Sequence, residues 1–203
     1  MANLSFDPRK KPRQARSEAT VAAILGGATR VLASHGLEGF NTNRVAEAAG
    51  VSVGSLYQYF PNKDALAAAL IVRSQAALAD GLEGSIAALV GRTLVESIRQ
   101  LAILAVAQQY GEARLAAALD YEERRLPVPE IAAARSRMIT AVEQLLARHS
   151  SELAPGLSAS RASDCLTLAQ ALVEADAWAD RSPSRDLTER VARALIGYLT
   201  VPV

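Results

Sequence analysis

The sequence predicts an all-α protein, and three observations lead to this fold class. Alanine and leucine dominate the 203 residues. Convincing runs that alternate apolar and polar side chains, as half-buried strands do, are missing from the sequence. Apolar residues instead recur at the three- and four-residue spacing of amphipathic helices. With 50% hydrophobic residues, the chain is long enough for one large domain, or for a small domain beside a medium one.

The first helix is predicted by an apolar stripe whose members recur at i, i+3, i+4, i+7 and i+11. The stripe consists of Val21, Ile24, Leu25, Ala28 and Leu32. We expect the helix to end near the dipeptide His35-Gly36, because glycine readily adopts the left-handed conformation that closes a helix.

Two short helices follow, separated by a tight turn. Thr42 or Asn43 can cap the N-terminus of the first helix, which Gly50 ends. Ser52 can cap the second helix, and Asn62 can cap a longer connecting helix behind it. This succession predicts a helix-turn-helix. The small residues that begin its second helix suit entry into the major groove of DNA.

The rest of the chain is predicted to consist of longer helices. Their expected ranges are 62–81, 84–109, 129–150, 160–181 and 187–200, with a less regular helix between 109 and about 124. Asp186 and Glu189 have the spacing of a capping box that opens the last helix. Apolar stripes on the last two helices consist of Leu166, Ala169, Val173 and Ala177, and of Leu187, Val191, Leu195 and Leu199. These stripes fit either an intramolecular core or an interface between two subunits.

Three aromatic residues lie within four positions of the second short helix, although the chain is only 4% aromatic. Leu56 and Phe60 share one face of a helix, so we expect both of them in the core. Tyr57 and Tyr59 are expected to lie off that face, where their hydroxyls can donate to phosphate oxygens of DNA. The alternative is that all three rings serve packing alone.

Basic residues are concentrated at the start of a chain whose formal net charge is only +1. The basic cluster consists of Arg9, Lys10, Lys11, Arg13 and Arg16. Such a cluster is typical of an arm that contacts DNA, and also of a solvated tail. We hypothesise that Arg13 or Arg16 enters a narrow minor groove.

Other kinds of chemistry have little support in the sequence. Cys165 is the single cysteine, so no disulfide forms within the chain and a reducing cytoplasm is expected. His35 and His149 have no second ligand at the spacing of a metal site. Signal-peptide runs, bilayer-length apolar segments and catalytic arrangements are also missing. We therefore expect a cytoplasmic protein that is no enzyme and uses no cofactor, metal or membrane.

Four sequence elements occur together between residues 14 and 70. They are the apolar helix before "HG", the helix and turn "TNRVAEAAGV", the segment "LYQYF" on the recognition helix, and "NKDAL" at the start of the next helix. In this combination they resemble the N-terminal DNA-binding region of the tetracycline-repressor (TetR) family of bacterial transcriptional regulators. A lone helix-turn-helix match would be weak, whereas the combination is specific.

The resemblance implies roles for ten residues at a DNA interface. They are Thr42, Asn43 and Arg44 on the first short helix, Val53, Gly54, Ser55, Tyr57, Gln58 and Tyr59 on the recognition helix, and Lys63 on the connecting helix. By the resemblance, Thr42 caps its helix and contacts phosphate, and the tyrosines and Lys63 contact phosphates and groove walls. Residues 53–55 would meet the bases. Family members often have a histidine where Tyr59 stands. Because the side chains at 53 and 54 have no hydrogen-bonding groups, base readout would rest on the polar members of the set.

The resemblance also implies how the domains are organised. Residues 1–13 would be a basic arm, 14–61 the helix-turn-helix domain, 62–81 a connecting helix, and 82–203 a helical domain that binds a small effector and dimerises. Candidate effector contacts are polar or aromatic residues within apolar helices. They are Gln108, Tyr110, Tyr121, Gln170, Glu174 and Trp178. Each of them also fits an ordinary surface or interface position.

The expected function is therefore that of a homodimeric transcriptional repressor. Its two recognition helices would read a palindromic double-stranded operator at half-sites about 34 Å apart. An unknown small-molecule effector would release the DNA. The alternative is a DNA-binding module whose C-terminal domain responds to a protein partner. A further alternative, an enzyme in the C-terminal domain, lacks a catalytic constellation.

Overall fold

The computed structural model describes residues 15–111, 113–126, 128–179 and 183–202. These residues form helices and no strand, which confirms the predicted all-α fold. The helices are α1 (Ala15–Gly39), α2 (Thr42–Ala49), α3 (Val53–Tyr59), α4 (Lys63–Ala88), α5 (Leu94–Gly111), α6 (Ala113–Arg125), α7 (Glu130–Arg148), α8 (Arg161–Ala179) and α9 (Leu187–Thr200). A short 3-10 turn, Ser150–Glu152, follows α7.

The chain divides into two compact units, and each has its own apolar core. The first unit consists of Met1–Ser74 and Glu112–Ile131, and the second of Gln75–Gly111 and Ala132–Val203. Helices α4 and α7 each contribute residues to both units, because the division falls within them. The finer division into arm, DNA-binding domain, connecting helix and effector domain stays a prediction, and residues 1–13 lie outside the described residues.

The first helix ends where its sequence predicts. At Gly36 the backbone leaves the helical conformation with φ 62° and ψ −167°, a region that is essentially restricted to glycine. The chain turns there, and a short helical segment continues to Gly39. The predicted apolar stripe of α1 lies against the core of the first unit, with Ile24, Ala28 and Leu32 fully buried.

An arginine whose surface is only partly removed from water attaches α4 to α1 in the first unit. Arg73 donates one amino group to the backbone carbonyl of Leu25 at 3.2 Å and to the hydroxyl of Thr29 at 2.5 Å. Burial lowers the pKa of Arg73, because removal from water disfavours the charged form. Two hydrogen bonds offset part of this cost, so Arg73 fixes the first half of α4 on α1.

The second unit buries the whole apolar stripe of α9 in its own core. Leu187, Val191, Leu195 and Leu199 are all at most 5% exposed. On α8, Val173 is buried, whereas Leu166 and Ala169 are partly buried against the same core. For the α9 stripe, of the two interpretations, an intramolecular core is the one that the structure shows. The α9 stripe is therefore unable to form the face toward a second subunit.

The predicted break between the helices at 62–81 and 84–109 was wrong. Helix α4 continues to Ala88, and α5 begins only at Leu94. Gly81 and Gly84 lie inside α4, since an isolated glycine weakens a helix without breaking it. The chain turns at Gly91, whose φ is 83°. A capping box at Thr93, described below, then opens α5.

The predicted capping box at the start of α9 was also wrong. Asp186 is the residue before the helix, but its side chain makes no capping hydrogen bond. Glu189 instead pairs with Arg99 of α5, with an N–O distance of 3.0 Å. The two members of the expected box thus point to other partners, although the helix begins at the predicted residue.

By length and composition alone, α4 could cross a membrane. Within the protein, 44% of the apolar stretch of α4 is buried. Ala65, Leu66, Leu70 and Ile71 all belong to the core of the first unit. Packing within the unit therefore explains the apolar character of this part of the helix.

Candidate nucleic-acid interface

Helix α2 is held at both ends by its own sequence. The side chain of Asn41 accepts a hydrogen bond from the backbone N–H of Arg44 at 3.0 Å, so Asn41 is the N-cap. The expectation that Thr42 or Asn43 caps this helix was wrong. At the other end, Gly50 has a φ of 67°, and its N–H donates a hydrogen bond to the carbonyl of Glu47. This left-handed residue ends α2 as the sequence predicts.

Helix α2 also packs unusually closely on α1. A β-carbon placed on Gly27 would lie 2.8 Å from the backbone nitrogen of Ala49 and 2.9 Å from the carbonyl oxygen of Val45. Arg30 of α1 donates to the carbonyl of Ala48, near the end of α2. The absence of a side chain at Gly27 therefore sets the distance between the two helices, and Arg30 fastens the end of α2.

The recognition helix, α3, is capped as predicted and packed on one side. Ser52 accepts a hydrogen bond from the N–H of Ser55 at 3.0 Å. Leu56 and Phe60 are buried, which confirms the prediction for these two residues. Tyr59 is also buried, at 8% exposure, so the expectation that it lies off the core face was wrong. Its hydroxyl lies 3.0 Å from the hydroxyl of Ser17 on α1.

The N-terminal tip of α3 is open to solvent. Val53 is 37% exposed and Tyr57 is 40% exposed, and Gly54 and Gln58 are exposed with them. A β-carbon on Gly54 would meet only the hydroxyl of Ser52, at 3.9 Å. The first turn of α3 is thus narrow and unobstructed within this unit, which is the shape that entry into a major groove needs.

Two of the predicted phosphate contacts are joined across the helix-turn-helix. The hydroxyls of Thr42 and Tyr57 lie 3.0 Å apart in an exposed position. One of the two hydroxyls donates to the other, so the accepting hydroxyl keeps its own proton and can donate it to a phosphate oxygen. Asn43 is exposed, whereas the guanidinium of Arg44 donates to the carbonyl of Gly39 at 3.3 Å. To reach a base, Arg44 would have to leave this carbonyl.

Lys63 stands at the start of α4, where it was expected. Its ammonium group lies 5.4 Å from the centre of the Phe40 ring, a distance at which the ring attracts a cation. Asn62 caps the helix by accepting from the N–H of Ala65 at 2.8 Å, as predicted. The cap and the ring together hold the Lys63 side chain at the edge of the helix-turn-helix.

A second set of charges lies beside Lys63 in the first unit. Arg125 of α6 pairs with Asp64 at 2.6 Å and with the buried carboxylate of Glu122 at 2.5 Å. Tyr121, a candidate effector contact, is 60% exposed and lines an open groove here with Lys63 and Asp64. This groove is shallow and mostly charged, so it differs from the apolar pocket expected for an effector, and Tyr121 gains no support as an effector contact.

The remaining effector candidates belong to the second unit. The hydroxyl of Tyr110 donates to Asp176 at 2.8 Å. Gln170 donates to Glu174 at 2.8 Å on the surface of α8, and Gln108 is exposed. The side chain of Trp178 lies outside the described part of the chain. Effector binding by these residues stays a prediction.

Sequence reasoning missed a buried polar group of the second unit, Asp176, that binds several partners. The hydroxyl and the backbone N–H of Ser184 both donate to it, and so do Tyr110 and Arg190. These donors, Ser184 foremost, lower the pKa of Asp176 to about 2 because they favour the carboxylate form. The signal in the sequence was an aspartate one turn beyond Val173, on the face that α8 buries.

Cys165 lies in a position that suppresses its reactivity. The thiol is buried, and burial together with the nearby carboxylates of Asp164 and Glu143 raises its pKa to about 12. The thiolate is the reactive form, so a redox role has no support. Among the described residues, no group of three or more His, Cys, Asp or Glu side chains could hold a metal ion.

Comparison with known proteins points to one family. The model of the bacterial regulatory proteins of the tetR family matches residues 24–70. The HTH-type transcriptional repressor AcnR of Corynebacterium glutamicum is 39% identical over 70 residues. That match spans 34% of this chain and 35% of the repressor, about a third of each.

Solved structures extend the likeness in fold to about nine tenths of the chain. FadR from Bacillus subtilis in complex with stearoyl-CoA superposes with a TM-score of 0.71 at 20% identity, over 88% of this chain and 98% of that one. A TetR family transcription regulator from Marinobacter aquaeolei VT8 gives a TM-score of 0.65 at 19% identity, over 91% and 97%. At such identities these structures show the fold alone. Over residues 24–70, the segment that contains the helix-turn-helix, the chain therefore matches the tetR family of bacterial regulatory proteins.

Proposed function

We propose that this TetR-family protein is a transcriptional repressor that binds a palindromic double-stranded operator as a homodimer. The exposed, side-chain-poor tip of α3 is the observation that supports it most directly. The polar residues around that tip, from Thr42 to Lys63, provide hydrogen-bond donors for phosphates and for base edges. The repressor name of the Corynebacterium relative, which matches over this region, supports the direction of regulation.

The ten residues predicted to contact DNA divide into three groups in this proposal. Val53, Gly54 and Ser55 enter the major groove. The linked hydroxyls of Thr42 and Tyr57 bind one phosphate, and Lys63 binds another. Asn43 and Gln58, both exposed, read base edges from either side of the tip, and Arg44 joins them after it releases Gly39. Tyr59 is the exception, because its ring is buried.

We further propose that the second unit receives a small-molecule effector that weakens operator binding. One structural neighbour is described as a complex with stearoyl-CoA, so long-chain acyl-CoA is a sensible first probe for this chain. The coupling required is modest, about 1 to 3 kcal/mol between the two sites. Function as a DNA-bound regulator also fits a location in the cytoplasm and no enzymatic activity.

The operator claim is tested by filling the tip of α3 with a side chain. Gly54→Leu adds bulk at a position where the fold leaves open space, so the protein should stay folded. Operator binding should weaken by about tenfold or more, because the added side chain obstructs the major groove. The DNA is a duplex that the wild type selects from a random-sequence pool, and affinity is measured by fluorescence anisotropy.

Gly84→Leu is the matched control for this experiment. Gly84 is also an exposed helical glycine with open space around it, but it lies on α4 within the second unit. The same substitution there should leave DNA affinity within about twofold of wild type. Equal affinities for both variants, with both folded, would rule out α3 as the element that enters DNA.

The effector claim needs a separate measurement. Stearoyl-CoA and a metabolite collection are screened for a rise in thermal stability of the free protein and for release of the selected duplex. A compound that does both supports the effector proposal. Failure of every compound, together with a co-purifying protein that releases DNA, would instead favour the alternative of a protein partner.

A further inference from the structure

Carboxylates surround Lys63 in the open groove of the first unit. Glu38, Asp64 and Glu122 line this groove together with Lys63 and Arg125. A DNA phosphate is an anion, so a carboxylate near a phosphate contact opposes binding, and at 0.1 M salt it does so over about 10 Å. The proposed phosphate contact of Lys63 therefore depends on how these carboxylates are compensated.

Arg125 compensates two of the three carboxylates. Its guanidinium pairs with Asp64 at 2.6 Å and with the buried Glu122 at 2.5 Å. The two hydrogen-bonded pairs, that with Asp64 foremost, raise the pKa of Arg125. The guanidinium is therefore charged under every condition in which DNA is bound.

The two pairs differ in what they connect. Glu122 lies three residues before Arg125 on the same helix, α6. Asp64 lies in the first turn of α4, directly after Lys63. The side chain of Asp64 is 29% exposed, so without its partner on α6 it would be free to move within the groove that Lys63 also lines. The pair with Asp64 is therefore the one that bears on the phosphate contact.

We propose that Arg125 is a positioning residue for operator binding, which holds and neutralises a carboxylate, that of Asp64, that would otherwise repel the phosphate bound by Lys63. The inference rests on the proposed function, because it assigns a task within operator binding. Arg125 acts here through Asp64 and does not itself contact DNA. A purely structural ion pair and a direct phosphate contact by Arg125 are the two alternatives that the experiment excludes.

The first measurement is a double-mutant cycle on the full chain, with the duplex that the wild type selects. Arg125→Gln should weaken binding about threefold to tenfold at about 0.1 M salt, because the carboxylate beside Lys63 loses its counter-charge. Asp64→Asn should bind at least as tightly as the wild type. The double variant should return to within about twofold of the wild type.

The two alternatives give different cycles. A purely structural pair predicts weaker binding for Asp64→Asn as well, because either substitution breaks the pair. A direct phosphate contact by Arg125 predicts a double variant that stays clearly weaker than the wild type, because removal of a carboxylate does not replace the lost contact.

Salt provides a readout that a structural role would not move. The Debye length falls from about 30 Å at 0.01 M to about 8 Å at 0.15 M, so repulsion by Asp64 is screened as salt increases. The ratio of the affinities of wild type and Arg125→Gln should therefore shrink over this range. A loss of affinity caused by a distorted structure would leave the ratio constant.

Arg137→Gln is the matched control. Arg137 likewise pairs with two carboxylates, those of Asp80 and Glu83, each at 2.6 Å, but all three residues lie in the second unit. Loss of the same charge there should leave DNA affinity within about twofold of the wild type. Arg125→Lys, which keeps a cation beside Asp64, should also bind within about threefold of the wild type.

The outcomes separate this inference from the proposed function. A wild type that selects no duplex overturns both. A wild type that binds, with an Arg125→Gln variant that is unchanged or that Asp64→Asn does not rescue, overturns the role of Arg125 alone, and so does an equal loss in Arg137→Gln. If thermal unfolding shows that Arg125→Gln does not fold, Asp64→Asn decides. Weaker binding by that variant overturns the inference, and binding at least as tight as the wild type supports it.

Discussion

At the level of single residues, the absence of a side chain at Gly27 determines how closely α1 and α2 approach each other. A β-carbon on Gly27 would meet the backbone of Ala49 and of Val45 at less than 3 Å. Backbone atoms have no rotamer with which to move aside, so one of the helices would have to shift. The neighbouring Gly26 differs, because a β-carbon there would meet only the Arg30 side chain, at 3.5 Å.

We expect Gly27→Ala to reduce the free energy of unfolding by about 1 to 3 kcal/mol, the usual cost of overpacking. DNA affinity should fall as well, because the displaced helix α2 supports α3 through the turn. Urea unfolding followed by circular dichroism, with the DNA titration described above, measures both effects.

Gly26→Ala is the control, and the opposite sign is expected for it. Alanine in the interior of a helix is favoured over glycine by about 0.5 to 1 kcal/mol, so this variant should be slightly more stable than wild type. If the two substitutions had equal effects, the close approach at Gly27 would not be what limits the packing of α1 on α2.

The errors of prediction at this scale have physical causes. In the segment "NTN" three adjacent residues are all good N-caps by type, and only the structure shows that Asn41 takes the role. Tyr59 is three positions from the buried Leu56, so helical spacing could have placed it near the core face. Its partner Ser17 is 42 positions away, and no local pattern reveals such a pair.

At the level of helices, the helix ends that were predicted correctly are those whose capping residues are evident from their type. The ends at Gly36 and Gly50 and the caps at Ser52 and Asn62 follow from residue type and were predicted. The start of α5 was missed, although the box is complete. Thr93 accepts from the N–H of Glu96 at 3.2 Å, and the Glu96 carboxylate accepts from the N–H of Thr93 at 2.9 Å.

The two capping positions allow a direct comparison. Thr93→Ala removes the hydroxyl that accepts from the Glu96 N–H and donates to the Glu96 carboxylate, so it should cost about 1 kcal/mol of stability. The hydrogen bond from the Thr93 N–H also lowers the pKa of Glu96, which shows that the box favours the charged form of that side chain. Urea unfolding at neutral pH measures the loss.

Asp186→Ala is the matched control at the start of α9. Because Asp186 makes no capping hydrogen bond, its replacement should cost only a few tenths of a kcal/mol, from the helix dipole and an exposed contact with Arg190. Equal costs for the two alanine variants would contradict the assignment of Thr93 as the working cap.

At the level of the whole molecule, each unit holds its helices together with a different buried charge. In the first unit Glu122 is 4% exposed and pairs with Arg125 of the same helix, and Arg125 also pairs with Asp64 of α4. In the second unit Asp176 of α8 binds Tyr110 of α5 and Arg190 of α9. Composition and periodicity predicted the helices and most of their apolar faces. They could not predict the pairings between helices, because only the fold determines how the helices are arranged.

The charge of Asp176 should make the stability of the second unit depend on pH in the acid range. Its pKa in the folded protein is about 2, below the ordinary value of 3.8. Stabilisation by the carboxylate is therefore complete at pH values above the ordinary pKa. It is lost as the pH falls from about 4 toward 2, because the unfolded chain then binds the proton first.

Asp176→Asn tests this argument, because asparagine keeps the shape and cannot ionise. The variant should be clearly less stable than wild type at pH 7, and the difference should shrink as the pH is lowered from about 4 toward 2. Asp80→Asn, which removes an exposed partner of Arg137, should change stability by less than about 1 kcal/mol throughout. Urea unfolding of the three proteins at each pH provides the comparison. A difference between wild type and Asp176→Asn that stays constant, or grows on acidification, would show that the four donors around Asp176 do not act on its charge.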